Sequence, residues 1–211
     1  RFSDPPGDRS GRGSVGGDLI EGVRFVFGHR LLVGLLLSRF GPITIASGFQ
    51  VLIPVFAVEV LGMGSGAYGA LLSAEGLGAI IGGFTLASRR EVKRAGMIMV
   101  VSGTVLSVLL MLGALMTTFW GLWLLLVLIG MSQTTFSSSS NGAMFGQTPQ
   151  HMRGRMVGVR NQTRSFTPAA QLGAGALAEA TGTPIVFGVL GALSLLVLWA
   201  VLVWRPEIRN A

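Results

Sequence analysis

Cysteine is absent from this 211-residue chain, which excludes disulfides, thiolate metal sites and cysteine nucleophiles. Charged residues are scarce, at 12% of the chain against roughly 25% in an average soluble domain. Apolar residues make up 50% of the sequence, and the mean hydropathy is +0.66. Glycine is abundant, with 32 residues, which suits helices that pack closely in a membrane. The composition therefore predicts a membrane protein.

Several motifs of soluble enzymes are missing as well. No phosphate-binding loop of the GxxxxGKS type occurs, so we expect no ATP hydrolysis. His29 and His151 are far apart, and the serine run 137–140 has no neighbouring His or Asp, so we expect neither a metal site nor a hydrolase. The net charge of +7 is divided among short clusters between apolar runs, which does not favour nucleic-acid binding. We interpret the chain as a non-enzymatic protein without a cofactor.

Six apolar stretches follow one another along the chain, each long enough for the roughly 20 residues that cross a bilayer as a helix. Their predicted limits are 31–57, 66–88, 96–117, 119–145, 156–179 and 183–204. The fifth is the least hydrophobic, so its assignment depends on its neighbours. We predict an all-α membrane protein whose six transmembrane helices form a bundle over residues 31–205 in a lipid bilayer.

The segments outside the predicted bundle differ from it in composition. Residues 1–17 are rich in Gly, Pro, Ser and charge, which is typical of a flexible linker. Residues 18–30 begin with a capping-box spacing and predict an amphipathic helix on the cytoplasmic membrane surface, or else the first turns of the next helix. Residues 206–211 are interpreted as a cytoplasmic tail. Because the chain begins with an arginine, we expect it to be part of a longer protein.

Basic residues are sorted by the loop in which they lie. Clusters follow the second, fourth and sixth spans: Arg89, Arg90, Lys93 and Arg94, then Arg153, Arg155 and Arg160, then Arg205 and Arg209. The loops after the first, third and fifth spans contain Glu59 and Glu179 and no Lys or Arg. Basic loops lie on the cytoplasmic side, so we predict a multi-pass protein of the plasma (inner) membrane with both termini in the cytoplasm. Two sets of three spans would then be inverted relative to each other, as in many secondary transporters.

Two predicted spans carry polar residues on one face. The fourth span has Gln133, Ser137, Ser140 and Asn141 at helical spacing. The first span offers Thr44, Ser47 and Gln50, with Pro42 and Pro54 as predicted kinks. A polar stripe is costly against lipid, so these residues should line water or protein. Hydrogen bonds between helices are the alternative to a cavity.

Glu75 is the charged residue that lies deepest in an apolar run. It is fourteen positions before Arg89, roughly 20 Å from the cytoplasmic face at 1.5 Å per residue. An intramembrane carboxylate is a functional candidate. Three roles are open: Glu75 carries a proton, it forms an ion pair with Arg39 or Arg164 in neighbouring spans, or it contacts a cationic substrate.

Three stretches carry a resemblance to a known family. "GGFTLASRREVKR" has Gly83, Arg89, Arg90 and Arg94 in the pattern of a signature loop, although Ser88 stands where that loop has an Asp. "EGVRFVFGHRLL" is similar to the segment that precedes the seventh helix in the same family. "GQTPQHMRGRMVGVRNQ" contains Arg153, Gly154 and Arg155 in a second loop pattern. Residues 18–205 thereby resemble the carboxy-terminal half of the major facilitator superfamily, in its drug and siderophore exporter branch.

This resemblance implies a function and a partner. The fold would be half of a twelve-helix transporter, and its partner the missing amino-terminal six-helix half. It would export small amphipathic molecules, drugs or siderophores by alternating access, with proton antiport. The first helix of each triplet lines the cavity in this family, so the resemblance implies that Thr44, Ser47, Gln50, Gln133, Ser137 and Asn141 contact substrate. A non-transporting scaffold or sensor, and a half-size transporter acting as a homodimer, are the alternatives.

A ladder of small residues is also visible in the second span. Ala70, Ala74, Gly78 and Gly82 recur at intervals of four and so share one helical face. Small residues let another helix approach closely. The family resemblance implies that this face packs against the other half, and packing inside the bundle is the alternative.

Overall fold

Helices make up nearly all of the structure. The computed structural model describes residue 28 and residues 30–88 and 95–204, without the side chains of residues 30–32, 65, 151, 155, 159 and 162–164. The eight α-helices of this part are α1 (Arg30–Ala46), α2 (Phe49–Glu59), α3 (Ser65–Ala87), α4 (Ala95–Gly113), α5 (Phe119–Gly146), α6 (Arg153–Thr163), α7 (Thr167–Thr181) and α8 (Thr183–Trp204). Short 3₁₀ turns precede α6 and α7, at Gln150–Met152 and Arg164–Phe166. The described residues contain no strand, as an all-α membrane protein requires.

Five stretches of the described residues are long and apolar enough to cross a membrane. They are Val33–Glu59, Gly66–Ala87, Ala95–Gly113, Phe119–Gly146 and Thr183–Trp204. The predicted fifth span, 156–179, is not among them. There the chain is helical but divided by the turn Arg164–Phe166, directly before Pro168. Because proline has no N–H to give to the preceding turn, the sequence predicts a bend of the fifth span at Pro168, and the helix is interrupted next to it.

The first span is also divided, into α1 and α2, at Ser47 and Gly48. The N–H of Gly48 donates to the Ile45 carbonyl at 3.1 Å, and the N–H of Gln50 donates to the Ser47 carbonyl at 3.3 Å. Both bonds span three residues instead of four, as in a tight 3₁₀ turn. The kinks were predicted at Pro42 and Pro54, but these prolines lie inside α1 and α2, and the break lies between them.

The helices α3 and α5 pack backbone against backbone at three glycines. A Cβ added at Gly78 would overlap the Val127 carbonyl oxygen, and one added at Gly130 would overlap the Glu75 carbonyl oxygen. A Cβ at Gly82 would fall 2.6 Å from the Met131 carbonyl oxygen. Glycines allow this approach because they have no side chain to separate the two backbones. The expectation that this face packs against another half is therefore wrong at Gly78 and Gly82, which pack inside the bundle.

Apolar side chains from several helices meet between them in two clusters. In the larger cluster the Phe187 ring of α8 packs edge-on against Phe56 of α2, with ring centroids 5.5 Å apart, and also contacts Phe49. Phe136 of α5 and Leu198 of α8 belong to the second cluster. These contacts hold α2, α5 and α8 in fixed positions, which orients the polar faces of α1, α2 and α5.

Several predicted segments lie outside the described residues. They include the linker 1–17, nearly all of the segment 18–30, the loop residues Arg89, Arg90 and Arg94, and the tail 206–211. Their assignments stay predictions.

Candidate functional site: a polar cavity between the first and fourth spans

A cavity of about 570 Å³ opens between α1, α2, α5 and the start of α7. Its wall contains hydroxyl groups, two amides, one guanidinium and a few apolar side chains. The hydroxyls are those of Thr44, Ser47, Thr134, Ser137, Ser138 and Thr167; the remaining residues are Gln50, Gln133, Arg39, Phe40, Ile43 and Pro168. The volume is within the range of about 300–1,000 Å³ that is usual for small-molecule sites.

Five of the six residues predicted to line a cavity lie around this one. Thr44, Ser47 and Gln50 come from the first span, and Gln133 and Ser137 from α5. The α5 pair share a face because they are four positions apart in a helix. The sequence reasoning did not single out Thr134, Ser138 and Thr167, although the first two continue the same polar run. Asn141, the sixth residue, is one turn beyond Ser137 and is hydrogen-bonded to arginines.

Arg39 is held against α5 by neutral oxygen atoms. Its side chain is 5% exposed, and its Nη1 donates to Asn141 Oδ1 and Ser140 Oγ, both at 2.8 Å, and to the Ser137 carbonyl at 3.2 Å. Hydrogen bonds from a charged donor are among the stronger ones in proteins. They place a buried positive charge at one end of the cavity wall.

Asn141 connects three helices through a single atom. Its Oδ1 accepts from Nη1 of Arg39 on α1 and, at 3.2 Å, from Nη1 of Arg160 on α6. An amide oxygen has two lone pairs, so it can serve both donors. Asn141 was predicted from its place on the polar face, but its role in joining α1, α5 and α6 needed the structure.

Glu75 is buried on α3, at 8% exposure, behind the cavity wall. Its Oε1 accepts a hydrogen bond of 3.0 Å from Nε2 of Gln50, which does line the cavity. The hydrogen bonds of Arg39 described above go to α5 instead, and the side chain of Arg164 lies outside the described residues. Among the described side chains, the hydrogen-bond partner of Glu75 is therefore an amide and not Arg39, which was one of the partners that the sequence left open. Gln50 connects this acid to the cavity.

The predicted cytoplasmic loop residues are only partly described. Gly83 lies near the end of α3, where an added Cβ would meet no side chain or neighbouring helix within 4 Å. The Nε of Arg153 donates to the Thr148 carbonyl at 3.4 Å. The side chain of Arg155 is outside the described part. Within the described ranges, no three His, Asp or Glu side chains are grouped closely enough to hold a metal ion.

The arrangement suits reversible binding of a small molecule. Hydroxyls and amides can donate or accept hydrogen bonds, Arg39 can attract an anion, and Phe40 and Ile43 offer apolar contact. Gln50 also joins this wall to the buried carboxylate of Glu75 through their hydrogen bond. The wall therefore offers the mixture of polar and apolar groups that small-molecule binding sites use.

Comparison with curated proteins finds no match, and comparison with solved structures finds none either. A family model described as Major Facilitator Superfamily matches residues 2–172. This range includes the first four predicted spans and the cavity-lining residues of α1, α2, α5 and the start of α7. Since the match covers well over half of its 211 residues, the chain belongs to the Major Facilitator Superfamily.

Proposed function

We propose that this chain exports small amphipathic molecules in exchange for protons, as half of a transporter that alternates access to its cavity. Family membership indicates a secondary transporter. The observation that carries the finer proposal is the cavity, which combines hydrogen-bonding groups with Phe40, Ile43 and Pro168. An amphipathic molecule needs both kinds of surface.

The proposed fold is a six-helix half made of two inverted triplets. Residues 153–181 are helical except for the turn before Pro168, and they supply the sixth crossing. The helix contacts support the pairing of triplets. The second helix of the first triplet, α3, packs on α5, and α7 packs on α2; the third helices, α4 and α8, pack on each other. Corresponding helices of the two triplets thus make corresponding contacts, as a two-fold axis in the membrane plane would require.

The proposed partner is a second six-helix half. A second set of helices would complete the walls of the cavity between α1, α2, α5 and α7. Alternating access then follows when the two halves rock around the cavity. The proposed location is the plasma (inner) membrane, with both termini in the cytoplasm.

Glu75 is the proposed proton carrier. A carboxylate buried in a membrane helix is costly unless it is protonated or hydrogen-bonded, so changes around it alter its proton occupancy. Its single described partner is the Gln50 amide, which faces the cavity. A substrate that binds Gln50 would therefore change the surroundings of Glu75, and this contact would couple substrate and proton movement.

A flux assay in proteoliposomes tests this function. The purified protein, with whatever polypeptide its gene encodes before residue 1, is reconstituted and given an imposed pH gradient. We expect uptake of labelled amphipathic compounds into inverted vesicles, lost when a protonophore collapses the gradient. Liposomes without protein provide the background.

The same preparation separates the alternatives. A folded protein that moves no compound of a broad panel would favour the scaffold or sensor and overturn the proposal. If the 211 residues transport alone and elute as a dimer, the half-size homodimer replaces the two-half arrangement.

A further inference from the structure

We propose that the cavity selects ligands that carry an aromatic ring, and that Phe166 and Phe40 together contact that ring. This inference rests on the proposed function, because it names the substrate class of the same cavity. It goes beyond that function in asking for aromatic character, which an amphipathic ligand does not need to have.

The two rings meet where α1 approaches the interrupted helix. Phe166 is the last residue of the 3₁₀ turn Arg164–Phe166, and α7 begins directly after it at Thr167. Its ring packs edge-on against Phe40 of α1, with centroids 5.5 Å apart and the ring planes at 77°. Phe40 lines the cavity, and so do the two residues that follow Phe166 in the chain. At the interruption of the helix, a second ring therefore lies beside the cavity wall.

Phe166 differs in exposure from the phenylalanines of the bundle core. Phe49, Phe56 and Phe187 pack against one another and are fully buried, whereas Phe166 is 56% exposed. Aromatic rings attract one another in offset and edge-on arrangements, beyond the effect of the area that they bury. The exposed part of the Phe166 ring can make such a contact with a ligand. A saturated ring gains only the burial of its surface there, because it has no π-electron face.

The face of α1 that begins at Phe40 brings apolar and polar groups within reach of one ligand. Phe40, Ile43 and Thr44 are at positions i, i+3 and i+4 of the helix, and all three line the cavity. Thr44 is one turn from Phe40, roughly 6 Å along the helix axis. The Thr167 hydroxyl belongs to the same wall, directly after Phe166. A matching ligand has its ring beside the two phenylalanines and a hydrogen-bonding substituent toward these hydroxyls.

Two neutral probes with one carbon skeleton test the selection. They are 2-naphthamide and its saturated counterpart decahydro-2-naphthamide, titrated calorimetrically into the full-length protein in phosphatidylcholine nanodiscs. Empty nanodiscs, titrated in parallel, give the heat of partition into lipid, which is subtracted. The saturated probe is the more apolar of the two, so burial alone would favour it.

We expect 2-naphthamide to bind about two- to tenfold more tightly, the factor that one favourable contact between aromatic rings supplies. Equal affinities, or tighter binding of the saturated probe, would overturn the inference, and this comparison needs no variant.

Variants then assign the contact to Phe166. Phe166→Leu keeps an apolar side chain without a ring and should remove most of the preference for 2-naphthamide, whereas Phe166→Tyr keeps the ring and should retain the preference. The matched control is Phe84→Leu, which removes a ring that is 72% exposed on α3 and does not line the cavity. It should leave the preference intact. An unchanged preference in folded Phe166→Leu would overturn the inference, because the Phe166 ring would then face lipid and not the ligand.

Flux separates this inference from the function beneath it. Preferential binding of 2-naphthamide without gradient-driven flux of any compound would leave the inference standing and remove the transporter. Gradient-driven flux together with equal binding of the two probes would keep the transporter and remove the inference.

Discussion

Gln50 and Glu75 are joined by a hydrogen bond of 3.0 Å, from the amide Nε2 to the carboxylate Oε1. The bond connects the first span to the second, because Gln50 belongs to α2 and Glu75 to α3. It also connects the cavity to a buried acid, because Gln50 lines the cavity and Glu75 does not. In the proposed function, this hydrogen bond is the point where substrate binding and proton binding would influence each other.

Replacing Glu75 by Gln should abolish the dependence of flux on the pH gradient, because an amide side chain cannot bind and release a proton as a carboxylate does. Flux in proteoliposomes at several imposed gradients measures this. The matched control is Glu59→Gln, which removes an exposed acid at the end of α2 that accepts a bond from Thr183. Unchanged gradient dependence in the Glu75 variant would exclude the carrier role. A fall in folded yield without a change in coupling would instead indicate a structural role.

Gln50→Leu should lower stability and flux together. The substitution takes away the donor that serves the Glu75 carboxylate, and an unsatisfied buried polar group costs about 1–3 kcal/mol. The matched control is Thr44→Val, which changes the same cavity wall at a residue without a hydrogen bond to Glu75. Thermal unfolding in detergent measures the stability. The coupling role of Gln50 is excluded if the Leu variant retains gradient-driven flux at the level of the Val variant.

Gly78→Ala should destabilise the bundle, whereas Gly76→Ala on the same helix should not. A Cβ at Gly78 overlaps the Val127 carbonyl oxygen of α5, but one at Gly76 has no atom within 4 Å. Overpacking of this kind costs about 1–3 kcal/mol. Thermal unfolding of the two variants side by side gives the difference. Equal melting temperatures would show that α3 and α5 do not approach as closely as described.

Asn141→Leu should destabilise the junction of α1, α5 and α6, while Asn141→Asp should be tolerated. Leucine removes the oxygen that serves Arg39 and Arg160, and hydrogen bonds to charged groups contribute about 1.5–3 kcal/mol. Aspartate keeps an acceptor and adds a negative charge toward both guanidinium groups. Folded yield and Tm of both variants test this. If the Leu variant is as stable as the Asp variant, the shared acceptor does not hold the junction.

Cysteine labelling should place the two basic loops on one side of the membrane. These 211 residues contain no cysteine, so an introduced cysteine is the single label site within them. Cysteines at Arg90 and Arg153 should react with an impermeant maleimide from the cytoplasmic side, and one at Glu179 from the opposite side. Labelling of the Arg90 and Arg153 positions from opposite sides would contradict the six-span topology.

Helix limits were predicted well where a long apolar run is bounded by turn residues or charge. The predicted spans 66–88, 119–145 and 183–204 correspond to Ser65–Ala87, Phe119–Gly146 and Thr183–Trp204. The division of the first span between Ala46 and Phe49 was not predicted, because neither proline lies at the break. The interruption before Pro168 was expected, but it leaves two helices too short to count as a span by themselves.

The sequence by itself determined that the chain consists of apolar helices and that polar residues occupy one face of the first and fourth spans. Hydrophobic run length and the helical repeat are local properties, so they can be read without knowing any neighbour. Only the tertiary structure decided that Arg39 bonds to residues about a hundred positions away and that Glu75 bonds to Gln50. Those contacts depend on how closely and at which register the helices pack, which the glycines of α3 and α5 set through contacts that no single segment contains.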